Sequence, residues 1–348
     1  MSAVRGVVAI VGALALGAAC ARKAPAQAKP QASVQALASA ARPAPSPLAS
    51  SSASNTPVLP AEERTWLYES TPIGRMSVVV LVPEHRADQK LPVLITMHGR
   101  GEALKGADRG ARGWVDDYDL SRVIQRLARP PLTREDFKSF VKEARLQRLN
   151  AALREHPYRG MIVVCPYTPD MLTGDDPFGK APPLARFLVD ELLPRVYRET
   201  PALGTVATTG IDGVSLGGRA AFSVGLLRPA TFGVISGLQA AFHADHAADI
   251  AERAVRAKAQ NPNLHFRLLT SDDDYFLDAD TAIARAMRGR GLSVFFDVVR
   301  AGRDRDADVS RPGAARRAAP LSRELSRRPR LRATRSACAT APRSSTET

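Results

Sequence analysis

From residue 62 onward the apolar positions fall into short unbroken runs, separated by stretches with helical spacing. Residues 76–82 (MSVVVLV) form one run, closed by Pro83; residues 91–97 (LPVLITM) form another and lead into His98-Gly99-Arg100-Gly101. Further runs occupy 161–165 before Pro166, then 205–211, 232–236, 265–270 and 292–299. Runs of this length, rich in β-branched side chains and bounded by Pro or Gly, predict strands. Between them, apolar residues recur at steps of three and four. Residues 183–199 carry Leu184, Phe187, Leu188, Leu192 and Val196 in that spacing, with an interruption expected at Pro194. Residues 216–227 predict a helix that ends at Arg228-Pro229, 245–260 one that begins with Asp245 as N-cap, and 277–288 another. Apolar strands alternating with helices predict an α/β fold: a mostly parallel sheet with helices on both faces.

Residues 119–159 form a helical insertion after the second of these strands. It holds two helical stretches separated by Arg129-Pro130-Pro131, the second opening on Thr133-x-x-Asp136, a capping box with Asp in place of Glu or Gln. Its length suits either a lid or wall of a substrate cleft or a surface helical hairpin.

The two ends differ from this middle. Arg5, an apolar and small-residue run over 6–16, and Gly17-Ala18-Ala19-Cys20 make residues 1–20 an export signal. The apolar run is short for a membrane span. The segment resembles a bacterial lipoprotein signal, which implies acylation of Cys20; Leu16 lies one place further from Cys20 than that pattern has it, and an ordinary cleaved signal is the alternative. Residues 21–61, rich in Ala, Pro, Ser and Gln, predict a disordered linker. Residues 62–300 form the folded domain. Residues 301–348 read as a basic tail, also disordered.

Charge changes the picture only at that tail. The net charge is +14, but from Arg300 onward 13 arginines meet 5 acidic residues, a net of +8, which leaves +6 for the rest. The excess is local, so no nucleic-acid partner is expected for the folded domain. The three cysteines, Cys20, Cys165 and Cys338, have no metal or disulfide spacing, and neither a metal nor another cofactor is expected.

The chemistry concentrates at Gly213-x-Ser215-x-Gly217, between the strand at 205–211 and the helix at 216–227. A serine that attacks a carbonyl must project from a tight turn, and small residues two positions either side let the backbone close around it. The Leu216 N–H, at the helix start, then faces a developing oxyanion. The bland alternative is a glycine-rich turn that happens to hold a serine.

Three places together resemble the α/β-hydrolases, near the esterase D and secreted carboxylesterase groups: His98-Gly99 after a strand, Gly-Val-Ser215-Leu-Gly-Gly, and Asp274-Tyr-Phe-Leu after the strand at 265–270. The resemblance covers about residues 76–299. It implies an α/β-hydrolase-type sheet and a serine carboxylic ester hydrolase acting on a small-molecule ester. Ser215 would be the nucleophile and Asp274, chosen over Asp272 and Asp273, the triad acid. The backbone N–H groups of Leu216 and Arg100 would form the oxyanion hole. His98 is expected to pack or hydrogen-bond near its loop. The triad histidine should follow the last strand, yet none of the six histidines follows Asp274. His243 and His246 lie on the catalytic side as remote substitutes. The abrupt change of composition near Val299 suits a GC-rich frame translated out of register, which translation in the other two frames would test; a natural basic tail that binds anionic lipid or nucleic acid is the rival. Without the histidine, an inactive surface binding protein on the same fold is the alternative function. The sequence leaves oligomeric state and substrate identity open.

Overall fold

The computed structural model describes residues 62–138, 141–171 and 178–299. The expected signal, linker and tail, with Cys20 and Cys338, lie outside the described residues.

In chain order the strands are β1 (Glu62–Tyr68), β2 (Met76–Val82), β3 (Val93–Met97), β4 (Ile162–Pro166), β5 (Thr209–Gly213), β6 (Val234–Leu238), β7 (His265–Ser271) and β8 (Val294–Val299). The helices are α1 (Arg100–Ala103), α2 (Ala107–Ala111), α3 (Leu120–Ala128), α4 (Glu143–Glu155), α5 (Ala181–Arg186), α6 (Leu193–Glu199), α7 (Leu216–Leu227), α8 (Ala247–Gln260) and α9 (Leu277–Gly289). The strands make one sheet in the order β1-β2-β4-β3-β5-β6-β7-β8. The β1–β2 and β2–β4 pairs are antiparallel; the remaining pairs are parallel.

Alternation along each strand sends side chains to two separate cores. Val80, Ile95, Val164, Ile211, Ile235 and Leu268 meet Leu188, Phe222, Ile250 and Ile283 from the helices α5 to α9 and the turn between α5 and α6. Leu81, Leu94, Val163, Leu238 and Leu269 meet Leu120, Ile124, Leu127, Leu146 and Leu153 from α3 and α4. Each fully buried Leu or Ile in these layers contributes about 1.5–3 kcal/mol. The described residues of 119–159 therefore pack their apolar stripe into the core on one face of the sheet.

Several local expectations need correction. The strand expected at 205–211 starts at Thr209, because Thr205 and Thr208 exchange hydrogen bonds (Oγ1 to Oγ1, 2.8 Å) and close a 3-10 turn at Val206–Thr208. Pro194 does not interrupt its helix. A π-helical segment, Phe187–Leu192, runs directly into α6, and the chain stays helical through Pro194. Asp245 is no N-cap: a 3-10 turn, Ala244–His246, intervenes, and His243 N–H donates to His246 Nδ1 at 3.3 Å. Asp136 does receive the Thr133 N–H at 2.7 Å, but the turn it closes is Glu135–Phe137, and α4 starts only at Glu143. β1 had no sequence signal. It is an edge strand whose charged residues face solvent, with Trp66 alone buried.

Candidate active site

Ser215 sits between the end of β5 and the start of α7 with φ 54° and ψ −115°. A serine pays about 1–3 kcal/mol for such a backbone, and the surroundings must hold it there. They do so through hydrogen bonds on both sides: Ser215 N–H donates to Leu238 O at 2.8 Å, and Ser215 O accepts from Ala241 N–H at 3.0 Å and Arg219 N–H at 3.1 Å. The two motif glycines are needed for close approach. A Cβ on Gly217 would stand 2.1 Å from Met97 O, and one on Gly213 would stand 2.3 Å from Gly217 O. Ser215 itself is half-buried amid a fully buried turn.

Leu216 and Arg100 are the first residues of α7 and α1. The first N–H groups of a helix have no intrahelical acceptor, so neither of these has a partner within its own helix. The β3 loop that carries Arg100 lies against Ser215: a Cβ on Gly99 would be 3.8 Å from Ser215 Cβ.

His98 is fully buried. Its Nε2 accepts the Thr168 N–H at 2.8 Å, so its Nδ1–H donates to Gly99 O at 2.9 Å. Burial lowers its pKa to about 4, against the raising effect of the Gly99 contact, and both ring nitrogens are committed. His98 holds its loop and is not a free base.

Asp274 turns inward from the loop after β7, while Asp272 and Asp273 are exposed. Its Oδ1 accepts the Phe276 N–H at 2.7 Å, and its Oδ2 accepts the Gln239 side-chain amide. Gln239 is held in the left-handed region (φ 51°) just after β6, and its N–H donates to Leu269 O at 2.7 Å. The end of β6 thus joins Ser215 to Asp274. Gln239 had no sequence signal, since it is neither part of a motif nor a residue type that chemistry would single out. Among the histidines near this end of the sheet, His246 packs edge-on against Phe242 (6.1 Å) and His243 (5.4 Å). Burial, foremost, lowers its pKa.

A buried polar row supports the elbow from below. Asp212 Oδ1 accepts the Gly213 N–H at 2.8 Å, and Arg267 Nη1 donates to Ser236 Oγ at 3.3 Å. Burial pushes the Asp212 carboxyl up and the Arg267 guanidinium down, each opposed by the other's charge. Asp280, on α9, is also fully buried beside Asp274. Among the described residues no group of three or more His, Cys, Asp or Glu side chains could hold a metal ion. No described helix is long and apolar enough to cross a membrane.

The strand order, the two antiparallel pairs at one edge and a serine in strained backbone between β5 and α7 define an α/β-hydrolase-type fold. No family model matches the chain, and no curated protein matches it. Among solved structures the chain is similar to a ferulic acid esterase, at 18% identity over 69% of this chain and 90% of that one, TM-score 0.49. It is also similar to the S-formylglutathione hydrolase FrmB of Staphylococcus aureus (13% identity, 68% and 90% covered, TM-score 0.48). A third is the enterobactin esterase of Shigella flexneri (14% identity, 71% and 56% covered, TM-score 0.47). The fold assignment stands on strand order and the elbow, independently of these likenesses.

Proposed function

We propose that the chain is a serine carboxylic ester hydrolase working through an acyl-enzyme. The observation that carries this is Ser215: strained, half-buried, and flanked by two helix N-termini whose first N–H groups belong to Leu216 and Arg100. In the proposed reaction Ser215 Oγ attacks the carbonyl carbon of a small-molecule ester, and the carbonyl oxygen takes up negative charge between those N–H groups. Asp274 is the acid that would orient and stabilise a protonated base.

A second function has its own support. No histidine follows Asp274 in the chain, His98 is committed at both nitrogens, and Asp274 already receives Gln239. A serine without its base retains only the ~10³–10⁴-fold acceleration that oxyanion hole and binding supply. That favours a surface protein that binds an ester-shaped ligand with little turnover. Hydrolysis of p-nitrophenyl acetate, with Ser215→Ala as control, separates the two. Ser215-dependent turnover supports the hydrolase, and its absence supports the binder.

The signal-like residues 1–20 support export, with Cys20 acylated to anchor the protein at a membrane surface through the linker. Cys20→Ser should move the protein from the membrane fraction to the soluble one in a cell-fractionation assay; unchanged fractionation would rule the anchor out.

A further inference from the structure

The turn after β3 that carries Arg100 is gripped on both sides. Gly99 O accepts from His98 Nδ1–H at 2.9 Å and from Ala103 N–H at 3.2 Å. On the other side the Gly99 N–H faces the Tyr118 hydroxyl, which donates to Glu102 Oε2 at 2.9 Å. Tyr118 and Glu102 are both buried, and neither belongs to the triad or to the oxyanion donors. Burial first, then the charge of Glu102, push the Tyr118 hydroxyl up, so it stays a proton donor through neutral pH.

Their place is built for them. Glu102 lies on α1, and Tyr118 follows a π-helical turn, Gly113–Asp117. A Cβ on Gly113 would come within 2.5 Å of Glu102 Cγ, so a side chain there would evict the acid. Trp114 packs its ring on Tyr118 at 5.0 Å. The pair and Ser215 border the same glycine: a Cβ on Gly99 would be 3.2 Å from both Glu102 Oε2 and Tyr118 Oη, and 3.8 Å from Ser215 Cβ. A carboxyl on this side is poorly placed as a base, because its charge would stand beside the oxyanion formed in the attack.

We propose that Tyr118 and Glu102 are positioning residues that lock the Gly99–Arg100 turn, so that the Arg100 N–H stays aimed at the carbonyl oxygen over Ser215. The catalytic part of its test rests on the ester-hydrolase proposal; the structural part does not.

The experiment compares the full chain with Tyr118→Phe, Glu102→Gln and Glu102→Ala by hydrogen–deuterium exchange and by p-nitrophenyl acetate kinetics over a Ser215→Ala background. Tyr118→Phe should accelerate exchange at Gly99 and at Ala103, whose N–H donates to Gly99 O, about tenfold while β5 keeps its protection. It should lower kcat about 10–100-fold at unchanged KM, as expected for a weakened oxyanion donor. Glu102→Gln, which keeps an oxygen for the Tyr118 proton, should lose less than Glu102→Ala in both measurements. Unchanged exchange at Gly99 and Ala103 in Tyr118→Phe overturns the proposal. So does a fall in activity through KM alone. If the unaltered chain shows no Ser215-dependent turnover, the ester-hydrolase proposal fails, and exchange alone decides the role of Tyr118 and Glu102.

Discussion

Asp280 shows how much a single side chain can cost. Both of its oxygens lack a hydrogen bond of ordinary geometry among the described residues, and the Ala240 N–H only partly offsets the loss. Burial, then the nearby charge of Asp274, raise its pKa well above the usual carboxylate range. The folded protein therefore holds a proton that the unfolded chain releases at about pH 4. The stability tied to that proton is full below that pH and is lost as pH rises toward the folded value. Asp280→Asn keeps the shape and removes the titration. Urea unfolding should find the variant more stable than the parent at pH 8, with the gap shrinking toward pH 4; parallel pH profiles would exclude a titrating Asp280. None of this was legible in the sequence, where Asp280 reads as one more acid in the first turns of a helix. Ser215 was legible, because its glycine neighbours are dictated by how closely Met97 and Gly217 backbone approach.

Among the elements, β8 depends most on a partner far away in the chain. Among the described residues it is an edge strand, paired with β7, and Phe295 is 55% exposed. Arg145 on α4 reaches Asp297 at 2.5 Å, with both side chains partly buried. A hydrogen bond to a charged group of this kind is worth about 1.5–3 kcal/mol. Arg145→Ala should accelerate amide exchange along Val294–Val299 and leave β3 and β5 protected; equal protection in β8 would show that the pair does not hold the strand. The helical spacing of 143–155 was visible in the sequence, but its attachment to the last strand was not, since the two are separated by about half the chain. The same limit explains the strand starts. Apolar runs located β2 and α7 at their observed bounds, whereas β5 began late because two threonines bonded to each other instead of to the sheet.

At the scale of the whole molecule, the proposed site pairs Asp274 as acid with Ser215 as nucleophile, and no described group stands as a committed base. The buried, doubly bonded His98 cannot serve, and Gln239 occupies Asp274. A small diffusible base should then replace the missing side chain. Imidazole at millimolar concentration should raise the Ser215-dependent hydrolysis of p-nitrophenyl acetate above the rate of the Ser215→Ala variant at the same imidazole concentration. Equal rates for the two proteins would mean that Ser215 is not activated by an external base. The expected frameshift near Val299 bears on the same gap, and the nucleotide sequence over codons 295 to 310 tests it.

Local pattern alone determined most of the strands and the longer helices, though not β1, that the sheet is mostly parallel, and that Ser215 is held between small residues at a strand–helix turn. Periodicity and glycine spacing record burial and close backbone approach within a few residues, and both survive in a linear sequence. Only the tertiary structure decided that Gln239 meets Asp274, that Tyr118 and Glu102 grip the turn beside Ser215, and that His98 is locked and neutral. Those contacts depend on strand order and register, which bring distant residues within hydrogen-bonding reach, and no local period encodes them.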